Sequence, residues 1–232
     1  MKKPYYLFNP GRLERQDNTL KFTPRDEEGN EGQPRFLPVE TVDSLYVFGA
    51  LDANSALYNF LGKAQVSVHF FDWYEHYTGS FMPKEYLLAG KVQVEQVRLY
   101  SSGKRRLAVA QLLLEGAAAN MLRVLAYYKN RGISALGPLM TDIEQLATSI
   151  PATTAVPELM GIEGNIRQVY YGAFDHIIKD FDMGGRSKRP PGNEVNALIS
   201  FGNMMCYTAC LDQIYHTQLN PTISFLHEPG FR

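Results

Sequence analysis

The chain has 232 residues, 45% of them hydrophobic and 20% charged, with a net charge of −1 and two cysteines. That is enough for one large domain or two modest ones, and the composition excludes disordered and collagen-like classes. No apolar run is expected to span a bilayer and the opening MKKPYYLFNPGR has no apolar leader core, so the expected setting is the reducing cytoplasm, with no membrane partner.

Charge is unevenly spread. Residues 1–90 carry nine Lys/Arg and twelve Asp/Glu, residues 91–131 eight and two, and residues 132–232 six and ten. The middle block is therefore net +6 between acidic flanks. A charge run is usually a solvated face, but this arrangement is also the footprint of contact with a phosphate backbone.

Residues 1–90 read as mostly strand. Stretches 5–8, 19–22, 36–39 and 44–48 are short and rich in β-branched or aromatic residues, and turn signals separate them. The polar run 25–33 reads as a loop. Asp52 or Asn54 caps a helix carrying Ala56, Leu57, Phe60 and Leu61, with Gly62 as its stop. Val66 to Phe71 reads as a buried strand in which His69 is a satisfied core residue, while His76 has no visible partner.

From Leu87 the texture is helical. Two successive helices are expected over 92–119 and 117–131, with Arg98, Lys104, Arg105, Arg106, Arg123, Lys129 and Arg131 as their basic residues. Thr141-Asp142 caps a third helix that ends near Pro151. Residues 161–175 form another, in which Ile162, Ile166, Val169, Ala173 and Ile177 make an apolar stripe. Glu163, Arg167, Tyr170 and Phe174 share the face beside it, with Glu163 in the first turn. Taken alone, that carboxylate reads as a structural ion pair with Arg167 rather than as a metal ligand or catalytic group.

Met183 to Gly192 is a Gly/Pro loop with Arg186, Lys188 and Arg189, a basic segment that either faces solvent or clamps phosphate. Asn193 caps the next helix. Its expected core stripe is Val195, Leu198, Ile199, Gly202, Met205, Cys206 and Ala209, and its polar face Asn196, Ser200 and Asn203. Cys206 and Cys210 read as small core residues. The fold class is α+β: a β-rich domain over 1–88, then an all-α domain over 89–232.

Three segments, EGNIRQVYY at 163–171, RPPGNEVNALISFGNMM at 189–205 and FLHEPGFR at 225–232, occur in that order. With GRLERQDNTLKF at 11–22, Val47-Phe48-Gly49 and VSVHFFD at 66–72, the whole chain resembles the CRISPR-associated integrase family, metal-dependent DNases that capture new spacers in prokaryotic adaptive immunity. The resemblance implies that 1–88 mediates dimerisation and that 89–232 is catalytic. It implies that Glu163 and His227 are the catalytic metal ligands. The family's third ligand, an acidic residue soon after the histidine, has no counterpart before Arg232, so a C-terminally truncated chain is expected.

One imidazole with hard carboxylate oxygens suits Mg²⁺ or Mn²⁺. The implied activity is endonuclease and integrase chemistry, inserting spacers into a CRISPR array by 3′-hydroxyl attack on phosphodiester bonds. The alternative is a catalytically incomplete DNA-binding scaffold subunit of the same complex. Implied DNA contacts are Arg98, Lys104, Arg105, Arg106, Arg123, Arg167, Arg186, Lys188 and Arg189. Implied partners are double-stranded or branched DNA, a second copy of the chain in a homodimer, and a small companion adaptation subunit. Asn196 is a candidate supporting contact and Glu228 a candidate stand-in ligand. His176, about 140° around the helix from Glu163, and His216, near a helix end, are excluded.

Overall fold

A computed structural model describes residues 2–84, 90–188 and 190–228. The chain divides into two compact units, Met1–Ala89 with Phe201–Gln218, and Gly90–Ser200 with Leu219–Arg232. The architecture is α+β, with the strands in the first unit and the second built of helices.

The first unit holds two four-stranded sheets. One has the order β1 (Lys3–Leu7), β5 (Val42–Val47), β7 (Ser67–Phe71), β8 (Tyr77–Phe81), parallel except for the last pair. The other has the order β4 (Arg35–Pro38), β3 (Thr19–Pro24), β2 (Gly11–Gln16), β6 (Leu51–Asp52). Strands β2, β6 and β8 were not anticipated from the sequence. In β2 only Leu13 among the side chains turns fully inward, so its alternation is faint. What fixes β2 is its hairpin with β3: Gln16 pairs with Thr19 and Asp17 takes φ 54°, as a two-residue hairpin turn requires.

Leu13, Leu20 and Phe22 of one sheet share a core with Leu45, Val47 and Val68 of the other. Helix α1 (Ser55–Ala64) adds Leu57 and Leu61 to it. Asn54 caps α1 by accepting from Leu57 N at 3.0 Å. The helix runs through Gly62 and ends where Gln65 turns left-handed at φ 58°. Gly49 is obligatory for another reason: a Cβ there would lie 2.5 Å from the Asn9 carbonyl carbon.

His69 is fully buried and satisfied, its Nδ1 2.7 Å from Ser80 Oγ. Its Nε2 lies 3.5 Å from Asp212 Oδ1, and Ser67 Oγ donates to the same oxygen. Burial pushes the Asp212 carboxyl upward, but the His69 and Ser67 hydrogen bonds and the His69 and His216 rings outweigh it and hold its pKa below the ordinary aspartate value. These bonds explain why Phe201–Gln218 groups with the β-rich unit, a segment the sequence reading had left in the 89–232 domain. The expected boundary at 88 falls outside the described residues. His76 has a partner after all, with Nδ1 3.5 Å from Asp72.

In the second unit, α2 (Lys91–Ser101) and α3 (Gly103–Lys129) are separated at Ser102, not near Gly116. Gly116 costs about 1 kcal/mol relative to Ala. Ala110, Leu114, Ala118 and Leu125 form one buried face running past it, and that packing carries the helix through. Contrary to expectation, α3 is long and apolar enough by length and composition to match a bilayer span.

Helix α4 (Leu136–Thr148) begins upstream of the expected cap, and Thr141 Oγ1 donates inside it to Gly137 O. Helix α5 (Val156–Gly172) also starts early, with Glu158 in its first turn accepting from Thr154 N at 2.8 Å. Glu163 therefore sits in mid-helix. The short α6 (Phe174–Ile177) follows. Leu125, Leu136, Ile143, Ile150, Leu159 and Ile166 form the core, and the expected stripe of Ile162, Val169, Ala173 and Ile177 joins it.

Helix α7 (Glu194–Tyr215) overturns its expected stripe. Its buried residues are Val195, Asn196, Thr208 and Asp212, whereas Leu198, Cys206 and Cys210 are exposed. Apolar residues are spread around its whole circumference, so spacing alone does not choose a face. Hydrogen bonds choose it.

A cavity joining Glu163, His227 and a basic loop

Glu163, Arg167, Tyr171 and Asp175 are spaced four apart, so the α5 residues among them share one face and the chain carries Asp175 on beyond it. All four line a cavity of about 740 Å³ in the second unit, with Gln168 beside them. Met183, Gly185, Arg186 and Lys188 of the following loop form another wall, and His227 completes it. The two residues implied as ligands thus open onto the same space, from α5 and from the segment after α7.

The Glu163 side chain is 14% exposed and the Arg167 Nε lies against its Oε1 as an ion pair. That oxygen is buried and, apart from this ion pair, has no hydrogen-bond partner among the described residues. The Arg167 charge offsets the burial of this oxygen, which forms no hydrogen bond of its own among the described residues.

The basic loop is held from behind. Gly184 and Gly185 adopt φ 57° and 87°, which suit glycine. Asn196, 1% exposed, accepts from Ser187 N at 3.0 Å and Arg186 Nη1 at 2.9 Å, and donates to Gly185 O at 2.9 Å and Met183 O at 3.3 Å. Met183 N donates to Asp175 Oδ1 at 2.7 Å, which ties the loop to the helical wall. Arg186 also donates through Nη2 to Ser200 Oγ at 3.0 Å, and its buried Nε has no hydrogen-bond partner among the described residues.

His227 sits in a segment anchored by Leu226, which packs on the helical core. Arg106 of α3 donates through Nε to Phe225 O at 2.8 Å and pairs through Nη2 with Glu228 Oε1 at 2.9 Å. Glu228 is therefore bound to Arg106, which with the Tyr100 hydroxyl holds its carboxyl below the usual glutamate range. It is not among the residues lining the cavity. Arg106, expected as a DNA contact, is 12% exposed and bonds this segment.

Of the other expected DNA contacts, Arg167, Arg186 and Lys188 line the cavity. Lys104, Arg105 and Arg123 are exposed on α3, and Arg98 is exposed on α2 and paired with Glu95 at 2.6 Å. None of these four lines the cavity. Arg189 lies outside the described residues. His176 is exposed on α6, and the His216 ring bonds the Asp212 carbonyl oxygen, so neither joins the site. Asp175, Gln168 and Tyr171 were not named from the sequence, although the four-residue spacing from Glu163 points to two of them. Among the described residues, no cluster of three His, Cys, Asp or Glu side chains is arranged to hold a metal ion.

Residues 5–232 match the family described as CRISPR associated protein Cas1. The chain belongs to the Cas1 family. One curated Cas1 relative, named CRISPR-associated endonuclease Cas1 3 from Thermodesulfovibrio yellowstonii, is 43% identical over 98% of this chain and 67% of its own length. A solved Cas1 protein from Thermotoga maritima superposes with a TM-score of 0.80 at 35% identity, covering 99% of this chain and 70% of that one. A casposase bound to integration product has a TM-score of 0.75 at 20% identity, covering 98% of this chain and 65% of that one, a likeness of fold alone. The chain thus spans about two thirds of the length of the Cas1 relative it matches, and the shared stretch takes in Glu163, the basic loop and His227.

Proposed function

We propose that this chain is a metal-dependent DNA endonuclease and integrase of CRISPR adaptation, with Glu163 and His227 as ligands of Mg²⁺ or Mn²⁺. The observation that carries the reading is the shared cavity. A largely buried carboxylate, ion-paired to Arg167, and an imidazole open onto one space walled by Arg167, Arg186 and Lys188. Relatives named as endonucleases support the same activity.

The donor set fits a hard divalent cation that keeps its remaining positions for water and substrate oxygens, with the imidazole favouring Mn²⁺. Such an ion supplies Lewis-acid activation of the nucleophile and neutralises charge on the phosphoryl oxygens. The protein's own part is to orient and hold. Arg167 sits beside Glu163 and sets its carboxylate. Lys188 and Arg186 offer positive charge to the phosphates of the entering strand. In integration a DNA 3′-hydroxyl oxygen bonds to phosphorus, the bond to the departing 3′ oxygen breaks, and that oxygen takes up a proton, so the number of phosphodiesters is conserved. In cleavage, water takes the place of the hydroxyl.

The assembly this reading expects is a cytoplasmic homodimer with a small companion adaptation subunit, acting on double-stranded or branched DNA. A second reading, a DNA-binding scaffold without catalysis, is favoured by the lack of a three-ligand cluster among the described residues. Incubating the chain with Mn²⁺ and branched DNA, beside Glu163→Gln, separates the two. Strand cleavage or transfer that disappears in Glu163→Gln supports the enzyme. DNA binding with no reaction from either protein supports the scaffold, and cleavage unaffected by the substitution refutes the assignment of Glu163.

A further inference from the structure

The basic block of 91–131 contains one side chain that behaves unlike the rest. Arg106 is 12% exposed, in a stretch where Lys104 and Arg105 face solvent. Its guanidinium stacks over the Tyr100 ring at 4.6 Å from the centroid and donates to that residue's hydroxyl oxygen at 3.3 Å. Nε donates to Phe225 O at 2.8 Å, and Nη2 reaches His227 O at 3.5 Å and the Glu228 carboxylate at 2.9 Å. The Tyr100 hydroxyl in turn donates to the other Glu228 oxygen at 3.2 Å.

Two helical side chains therefore grip three consecutive features of one short segment: the carbonyl two residues before His227, the His227 carbonyl, and the carboxylate one residue after it. Among the described residues, no other side chain from outside the segment bonds that backbone. Among the described residues, the His227 amide is bonded from within the segment, where Ser224 Oγ accepts it at 3.2 Å, and Leu226 supplies the apolar anchor.

We infer that Arg106, braced by Tyr100, is a positioning residue that fixes the 225–228 backbone so that the His227 imidazole faces the cavity. Its charge serves the geometry of the site and not the DNA backbone. Guanidinium suits this task better than ammonium, because its planar fork holds carbonyl and carboxylate partners at a fixed spacing while its face lies on a ring. The inference rests on the reading of His227 as a ligand. Its first consequence, a pinned segment, is measurable without any metal.

The test compares Arg106→Gln, Arg106→Lys, Tyr100→Phe and His227→Ala in this chain. Hydrogen exchange of the 225–228 amides is followed without metal, and Mn²⁺ affinity is read by electron paramagnetic resonance of the free ion. Arg106→Gln is expected to speed exchange across 225–228 by about tenfold or more. It should also weaken Mn²⁺ binding roughly 10- to 100-fold, the range for a group that orients a ligand. Arg106→Lys should recover only part of either, and adding Arg106→Gln to His227→Ala should weaken binding no further. Should Arg106→Gln disturb the helices by circular dichroism, Tyr100→Phe, which keeps the ring, gives the same exchange readout. Unchanged exchange at 225–228, or a further loss of Mn²⁺ affinity in the His227→Ala background, overturns the positioning role. Mn²⁺ binding indifferent to His227→Ala overturns the ligand reading, and the exchange data then decide the clamp alone.

Discussion

Replacing Asn196 by Ala removes the internal support of the basic loop. Four of its side-chain contacts reach that loop: the Met183 and Gly185 carbonyl oxygens, the Ser187 amide and the Arg186 guanidinium. At about 1 kcal/mol net apiece they amount to roughly 4 kcal/mol, and water reaching the freed groups brings the local loss to about 3 kcal/mol, on the order of a hundredfold. The Ser187 amide reports on this directly, since its N–H donates to Asn196 Oδ1. Its hydrogen exchange should accelerate by about that factor, while amides of the α4 and α5 core stay protected. DNA affinity should fall in parallel as Arg186 and Lys188 lose their fixed positions. Asn196→Asp keeps both acceptor contacts and loses the two donated ones, so it should fall between parent and Ala. Exchange at Ser187 changed by less than about threefold would refute the claim that Asn196 holds the loop.

Two further outcomes follow from the same geometry. Lys188→Ala should weaken DNA binding about equally across sequences and lower the slope of log affinity against log salt by about one, measured by fluorescence anisotropy. Asp212→Asn should destabilise the chain at neutral pH by about 1–3 kcal/mol in urea unfolding, through loss of hydrogen bonds to a charged acceptor. The folded pKa of Asp212 lies below its unfolded value. Its contribution is therefore present above about pH 4 and disappears as the folded carboxylate is protonated, so the gap between parent and variant should narrow on acidification below that point.

Much of the fold was legible because burial there is apolar. The α5 stripe through Ile162, Ile166 and Val169, the Asn54 and Asn193 caps and the buried strand at Ser67–Phe71 all follow from spacing and side-chain chemistry. The misreadings fall where another force decides. Packing across Gly116 carries α3 past a residue that composition marks as a breaker. Glu158 and Thr154 start α5 ahead of the expected Gly161. The inward face of α7 is chosen by Asn196, whose partners lie in the loop before the helix, and by Asp212, whose partner Ser67 lies far off in the chain, so no local period reveals it. The candidate site was legible in Glu163, Arg167 and the basic loop. Asp175 hid beyond the helix end, and Arg106 looked like its solvent-facing neighbours because charge alone does not tell an inward guanidinium from an outward one.

The Asp212 contact bears on how this protein can be dissected. A fragment ending at residue 88 keeps both sheets but loses the carboxylate that Ser67 and His69 address, leaving a serine hydroxyl and an imidazole facing a vacated trough. Such a piece would be an unfinished body, prone to self-association, and restoring it would require supplying 201–218 as a separate peptide or through a designed connection. The segment that completes the β-rich half is translated more than a hundred residues after its last strand, so that half cannot finish folding on the ribosome until residue 218 has emerged.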